Sequence, residues 1–169
     1  MWKKISIIII LFCLFAVLQS SFFVNFNLFG AVPNLIFVLF FTLCFLDKNR
    51  SYYYILFMAL FGGFLLDIFS YSYLGPSVII LIILGLLLHK TQSLLADSDG
   101  NYPFIYFMPM FVIFLVVYYL LAGAYSFFID SNKIITPFGL TTLYSIIYNC
   151  IFAIILYFLL KNIWPKKNN

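Results

Sequence analysis

The sequence predicts an all-α, polytopic membrane protein: a single domain over residues 1–169, folded as a bundle of about six transmembrane helices. Three observations predict it. The composition is 66% hydrophobic and 8% charged, with a mean hydropathy of +1.14; a soluble domain averages about 45–50% apolar and about 25% charged residues. So few charged side chains cannot cover a water-facing surface, so lipid or the chain itself must solvate most of the polypeptide. Apolar runs of membrane-crossing length recur along the chain, separated by short polar or turn-forming segments. The bases lie at the ends of those runs and, once the runs are threaded back and forth, fall almost entirely on one side.

The first run follows Met1-Trp2-Lys3-Lys4 and extends over 5–18 without a polar residue other than Ser6. It resembles a secretory signal, but no small-x-small cleavage pattern follows Leu18-Gln19-Ser20-Ser21, so it reads as an uncleaved helix over 5–24. Asn25, Asn27, Gly30 and Pro33 then mark a loop or re-entrant turn. The second run, 35–46, is shorter than the ~20 residues that span a bilayer; Gly30 to Asn34 make it just long enough. It stops at Asp47-Lys48-Asn49-Arg50. A third helix is predicted over 52–69. Tyr71 to Pro76 form a turn with Pro76 at the first position of the next helix, which runs over 77–88 to His89-Lys90. Residues 91–103, with Asp97-Ser98-Asp99-Gly100-Asn101, read as a loop. The fifth helix covers 108–129 with Pro109 in its first turn, Asp130 to Lys133 break the chain, and the sixth covers 137–160 before a basic tail.

With six crossings, one side holds Lys3, Lys4, Lys48, Arg50, Lys90, Lys161, Lys166 and Lys167, and the other holds Lys133 alone. Positive residues stay cytoplasmic, so both termini are expected inside. Deleting any helix from this arrangement spoils the alternation. Trp2, Trp164 and Tyr52 to Tyr54 then fall at interfacial depths.

Several function classes lose their footing here. The formal net charge of +4 is not gathered on one basic face, which speaks against nucleic acid. All five acids are Asp, too few for a lipid-phosphate enzyme that gathers carboxylates at the membrane face. Cys13, Cys44 and Cys150 lie inside apolar runs and read as small buried hydrophobes. His89, the one histidine, sits at a helix end with no second ligand placed to share a metal. There is no phosphate-binding glycine loop and no Ser-His-Asp set. No catalytic, cofactor or metal residues are therefore expected.

The residues that stand out suit packing and partner contact instead. Asp67 closes Phe61-Gly62-Gly63-Phe64-Leu65-Leu66-Asp67, near the outer end of the third helix. An Asp at a helix centre costs ~2.5–3.5 kcal/mol on insertion scales and less near the interface. Ala59, Gly63 and Asp67 share one face at i, i+4, i+8, where small residues let another helix approach and aim the carboxylate at it instead of at lipid. The plainer reading has Asp67 reach the headgroups. Thr141, Ser145, Asn149 and Ala153 make a second i+4 stripe on the sixth helix. Thr141, Ser145 and Gln19 should lie at the depth of Asp67, which predicts a polar cluster joining helices one, three and six. The alternative is that each hydroxyl bonds back to its own helix.

The order of these features resembles a known family. Gln19-Ser20 closes helix one, Pro33-Asn34-Leu35 opens helix two, the run from Gly62 to Ser70 ends helix three, and Leu74-Gly75 opens helix four. Together with length and helix count, this is similar to the rod shape-determining protein MreD family, most sharply between Pro33 and Gly75. Pro33, Gly63, Asp67 and Gly75 match the family pattern; Asn34 stands where many members carry an acid. The resemblance implies a non-catalytic subunit of a bacterial inner membrane that regulates cell shape in the peptidoglycan elongation complex. It would bind an MreC-like protein, RodA and a transpeptidase through transmembrane helices, and reach the MreB cytoskeleton indirectly. It also implies a fold similar to the substrate-binding subunits of energy-coupling factor transporters. A vitamin-binding transport subunit is thus the alternative function, with Tyr71, Tyr73, Gln19 and Asp67 offering a pocket.

Overall fold

The computed structural model describes residues 2–27, 29–47, 52–69, 74–95, 104–129 and 139–163, and for 2–4, 95, 129 and 162–163 the backbone alone. Lys48, Arg50, Tyr71, Tyr73, Lys133, Trp164, Lys166 and Lys167, and the loops read at 96–103 and 130–133, lie outside the described residues. Six helices follow in chain order: α1 (Trp2–Val17), α2 (Leu35–Leu46), α3 (Tyr52–Phe69), α4 (Pro76–Leu95), α5 (Phe104–Ile129) and α6 (Leu140–Ile163), with no strand among the described residues. All but α2, counting the π-helical continuation of α1 (Leu18–Phe23), are long and apolar enough to cross a membrane. The chain is a multi-pass helical membrane protein.

Helix α3 falls where the sequence put it, and α2 keeps to the apolar run 35–46: Gly30 to Asn34, read as bringing it to membrane-crossing length, are not helical. The others differ in ways that have physical causes. The first run is not one continuous α-helix over 5–24: α1 passes at Val17 into a π-helical stretch, Leu18–Phe23, a form that usually occurs as a bulge at functional or strained positions. Helix α4 continues over 91–95, residues read as loop. Polar side chains at a helix end that reaches water do not stop a helix, and Thr91 Oγ1 bonds back to the Leu88 carbonyl. Helix α5 begins at Phe104, so Pro109 sits in its second turn, and α6 runs from Leu140 to Ile163.

Helix α2 is the axis of the bundle. It has 12 residues, ~18 Å at 1.5 Å per residue, and cannot cross a ~30 Å hydrocarbon core alone. Eleven of its residues, Leu35 through Phe45, are buried. A helix apolar all round belongs in an interior. It packs on α1, α3, α4 and α6 and meets α5 through rings. Phe37, Phe41 and Phe45, at i, i+4, i+8, stack along α2 and face Phe107, Phe111, Phe114 and Tyr118 of α5. The Phe41–Phe111 pair is edge-on at 5.3 Å. Such pairs contribute ~0.5–1.5 kcal/mol beyond area burial, and between membrane helices packing of this kind is a main source of association. Outward faces are apolar too: Ile7, Ile10 and Leu14 of α1 and Ile147, Ile151 and Leu159 of α6 are exposed, as lipid-facing positions should be.

Glycine sets two close crossings. A Cβ on Gly62 would stand 2.7 Å from the Phe12 ring of α1. One on Gly63 would stand 2.5 Å from Val78 Cα and 2.7 Å from Val78 N, so α3 and α4 touch backbone to backbone there.

Candidate functional site

Because α2 ends inside the bundle, its terminal backbone groups need partners that lipid cannot supply. At the C-terminal end, Gln92 of α4, 1% exposed, donates its amide to the carbonyls of Phe45 at 3.2 Å and Cys44 at 3.4 Å. At the N-terminal end, three elements converge. Asn34 caps its own helix, its Oδ1 accepting from Phe37 N at 3.0 Å. Gln19, carried on the π-helical stretch, accepts from Ile36 N at 3.3 Å. Asn149 of α6, fully buried, accepts from Asn34 N at 2.7 Å. The Asn149 amide in turn donates to the Ser145 carbonyl at 2.8 Å and to the Tyr119 hydroxyl of α5 at 3.1 Å, and Tyr119 and Ser145 share a hydrogen bond.

Asp67 serves a different helix start. It is 2% exposed, so it does not reach the headgroups. Its two carboxyl oxygens accept from Gly75 N at 2.6 Å and Ser77 N at 3.0 Å, closing the first turn of α4 as an N-cap from outside the helix. Gly75, at φ +117°, takes a backbone conformation that L side chains rarely adopt, which turns its N–H toward α3. The small face of α3 is therefore matched within the chain: Gly63 admits α4, and Asp67, one turn on, holds the α4 terminus. Tyr118 of α5 lines the same cavity as Asn34 and Leu66, the residue before Asp67.

These groups form one layer. Counted at ~1.5 Å per residue, Gln19 from Lys4, Asn34 from Asp47, Asp67 from Tyr52, Tyr118 from Phe104 and Asn149 from Lys161 all lie ~18–23 Å along their helices. The sequence predicts Gln19, Thr141, Ser145 and Asp67 at one depth in a single cluster, and the bonding differs from that cluster. Gln19, Ser145 and Asn149 gather on the start of α2, not on Asp67. Thr141, one turn further out on α6, is exposed and makes no described bond with them. Pro33 is buried just before α2, and Ala59 is buried on α3. Of the alternative pocket's four residues, Gln19 lines a cavity, Asp67 does not, and Tyr71 and Tyr73 are outside the described residues. The residues the sequence reading missed are Tyr118, Tyr119, Ser77 and Gln92. The two tyrosines are lost among 13 in the chain, and Gln92 sits in a stretch that looks like loop.

Around the layer is a cavity of about 380 Å³, lined by Gln19, Asn34, Tyr118, Tyr119, Thr142 and Ser145 with small residues Ala122 and Gly123. A groove of about 130 Å³ between α5 and α6, lined by Val116, Leu120, Leu143 and Ile146, meets it at Tyr119 and Thr142. No group of three or more His, Cys, Asp or Glu among the described residues is placed to hold a metal ion.

The layer has a direct stability test. Asn149→Leu removes the acceptor of the Asn34 N–H and the donor to Tyr119. Leaving one buried polar group unpartnered costs ~1–3 kcal/mol. The variant is expected to unfold ~2–4 kcal/mol more easily in an SDS titration of mixed micelles, whereas Thr141→Leu should be near neutral. Equal losses for the two would mean that Asn149 does not anchor α2.

Searches of curated proteins and of solved structures give no match. A family model, the rod shape-determining protein MreD, matches residues 3–164 of the 169-residue chain, taking in every helix and the whole polar layer. Carried by that match over nearly its full length, the chain belongs to the MreD family of cell-shape membrane proteins.

Proposed function

We propose that this protein is a non-catalytic subunit of the wall-elongation machinery in the bacterial inner membrane. It would hold an MreC-like protein and peptidoglycan synthesis proteins of the RodA and transpeptidase kinds against its transmembrane helices, and connect to the MreB cytoskeleton through them. Both termini lie in the cytoplasm.

The observation that carries this reading is where the buried polar groups point. Thr42, Asp67, Gln92, Ser145 and Asn149, the buried polar residues of the described chain, all bond within it, and four of them reach across to helix termini or to another helix. Polar groups used this way rigidify a bundle and fix one arrangement of its helices. A rigid bundle with apolar outer faces suits a protein that other transmembrane helices pack against, and family membership points to the cell-shape machinery as their source.

Co-purification from native membranes, after crosslinking, tests the partners. Recovery of an MreC-like protein and of wall-synthesis enzymes is the expected result; recovery of an ATPase module instead would mark the chain as a transport subunit. Reporter tags at residues 1 and 169 should both read cytoplasmic, and a split result would remove the orientation.

A further inference from the structure

We propose that the cavity at the head of α2 and the α5–α6 groove together bind an uncharged glycerolipid of the diacylglycerol class, with the first few methylenes of an acyl chain in the groove, the rest of that chain in the surrounding lipid, and the glycerol esters and hydroxyl in the cavity.

The two spaces adjoin at two shared lining residues, and the cavity carries amides and hydroxyls that the groove lacks. The groove presents Val116, Leu120, Leu143 and Ile146; the cavity presents Gln19, Asn34, Tyr118, Tyr119, Thr142 and Ser145; Tyr119 and Thr142 belong to both. An apolar groove beside a pocket that carries hydroxyls and amides matches an amphiphile. Size distinguishes a chain from a helix. At ~30 Å³ per water-sized group, the groove holds about four such groups and the cavity about a dozen. A helix with its side chains is ~10–12 Å across, so a single turn occupies several times the groove's volume of about 130 Å³. The cavity volume is within the range of small-molecule sites, ~300–1,000 Å³.

Charge selects the headgroup. None of the cavity-lining side chains is a base or a carboxylic acid. An anionic phosphate would sit without a counterion in a low-dielectric site, at a desolvation cost of several kcal/mol. The start of α2 offers it little compensation, since the N–H groups of Asn34, Ile36 and Phe37 already bond to Asn149, Gln19 and Asn34. Neutral ester and hydroxyl groups meet no such penalty. Two lining groups make no described hydrogen bond, the Gln19 Nε2 amide and the Thr142 hydroxyl. The first suits an ester carbonyl and the second a hydroxyl.

The test uses the full chain in nanodiscs of phosphatidylethanolamine and phosphatidylglycerol, doped with a diazirine-bearing diacylglycerol. After illumination, adducts are mapped by mass spectrometry. Labelling is expected to concentrate on Val116, Leu120, Leu143 and Ile146. Excess unlabelled diacylglycerol should reduce it about tenfold, and phosphatidic acid of the same chains should not. Thr142→Trp, which fills the junction, should abolish the competable labelling while leaving thermal unfolding cooperative. If that variant does not fold, Ala122→Leu narrows the opposite wall and takes its place. Labelling spread evenly over all lipid-facing helices, equal competition by phosphatidic acid, or undiminished competable labelling in the filled variant would each overturn the proposal.

Discussion

Replacing Asp67 with alanine is expected to destabilise the protein by ~2–5 kcal/mol, one of the two largest losses from a single change in this chain. Both oxygens of its carboxyl group are acceptors for backbone N–H groups, Gly75 at 2.6 Å and Ser77 at 3.0 Å, in a position 2% exposed. Loss of an N-cap costs ~0.5–2 kcal/mol, and each buried N–H left without an acceptor ~1–3 kcal/mol. Water does not replace the lost acceptors within a bilayer. Asp67→Asn should fall between alanine and the native protein. Its single amide oxygen can accept one of the two bonds, while its NH2 group confronts the other N–H, donor against donor. Unfolding by SDS in mixed micelles gives the ordering native, Asn, Ala. If both variants unfold like the native protein but no longer co-purify with wall-synthesis proteins, Asp67 acts on a partner and not on α4.

How much of this was legible in the sequence depends on the kind of interaction. Apolar runs and charge alternation report the solvent, so all six helices were found and α3 was bounded correctly, while Gly30 to Asn34 do not lengthen α2 to a full span. The face shared by Ala59, Gly63 and Asp67 follows from the period of one helix, so it too was legible. Its partner was not, because any helix can fill a small-residue groove; only the structure identifies it as the start of α4, with Gly63 against Val78. The stripe on α6 shows the same limit. Period alone treats Thr141, Ser145 and Asn149 alike, yet Ser145 and Asn149 are buried and Thr141 is not. The difference is the depth at which α2 begins, a consequence of its 12-residue length. Gln92 was hidden for a related reason. It is polar and follows a basic helix end, so it reads as solvent-facing, but the short α2 leaves the Cys44 and Phe45 carbonyls within its reach. The shortness of α2 was visible in the sequence; its consequence, that other helices must supply caps for both ends, is physical and was not drawn from composition or period.

Gly63→Ala is expected to cost ~2–4 kcal/mol, at or above the usual range for overpacking, because the added methyl meets main chain. The new Cβ would lie 2.5 Å from Val78 Cα, 2.7 Å from Val78 N and 3.0 Å from the Ser77 carbonyl carbon, and no rotamer change relieves a backbone contact. Its neighbour supplies the control. At Gly62 the same methyl meets the edge of the Phe12 ring at 2.7 Å, a side chain that can turn aside, so Gly62→Ala should cost less, ~1–2 kcal/mol. The Gly63 effect should also depend on Asp67. The methyl pushes away the turn, at Ser77 and Val78, whose Ser77 N–H the Asp67 carboxyl group caps, so a protein already lacking that cap has less to lose. Adjacent sites that share one element typically couple by ~0.5–3 kcal/mol, and the double variant Gly63→Ala, Asp67→Ala should be more stable than the sum of its parts predicts. SDS unfolding of the four proteins in the cycle measures this coupling. Strict additivity, or a Gly63→Ala loss no greater than that of Gly62→Ala, would mean that α4 yields at this crossing, and that the cap and the glycine contact are separate features of the α3–α4 pair.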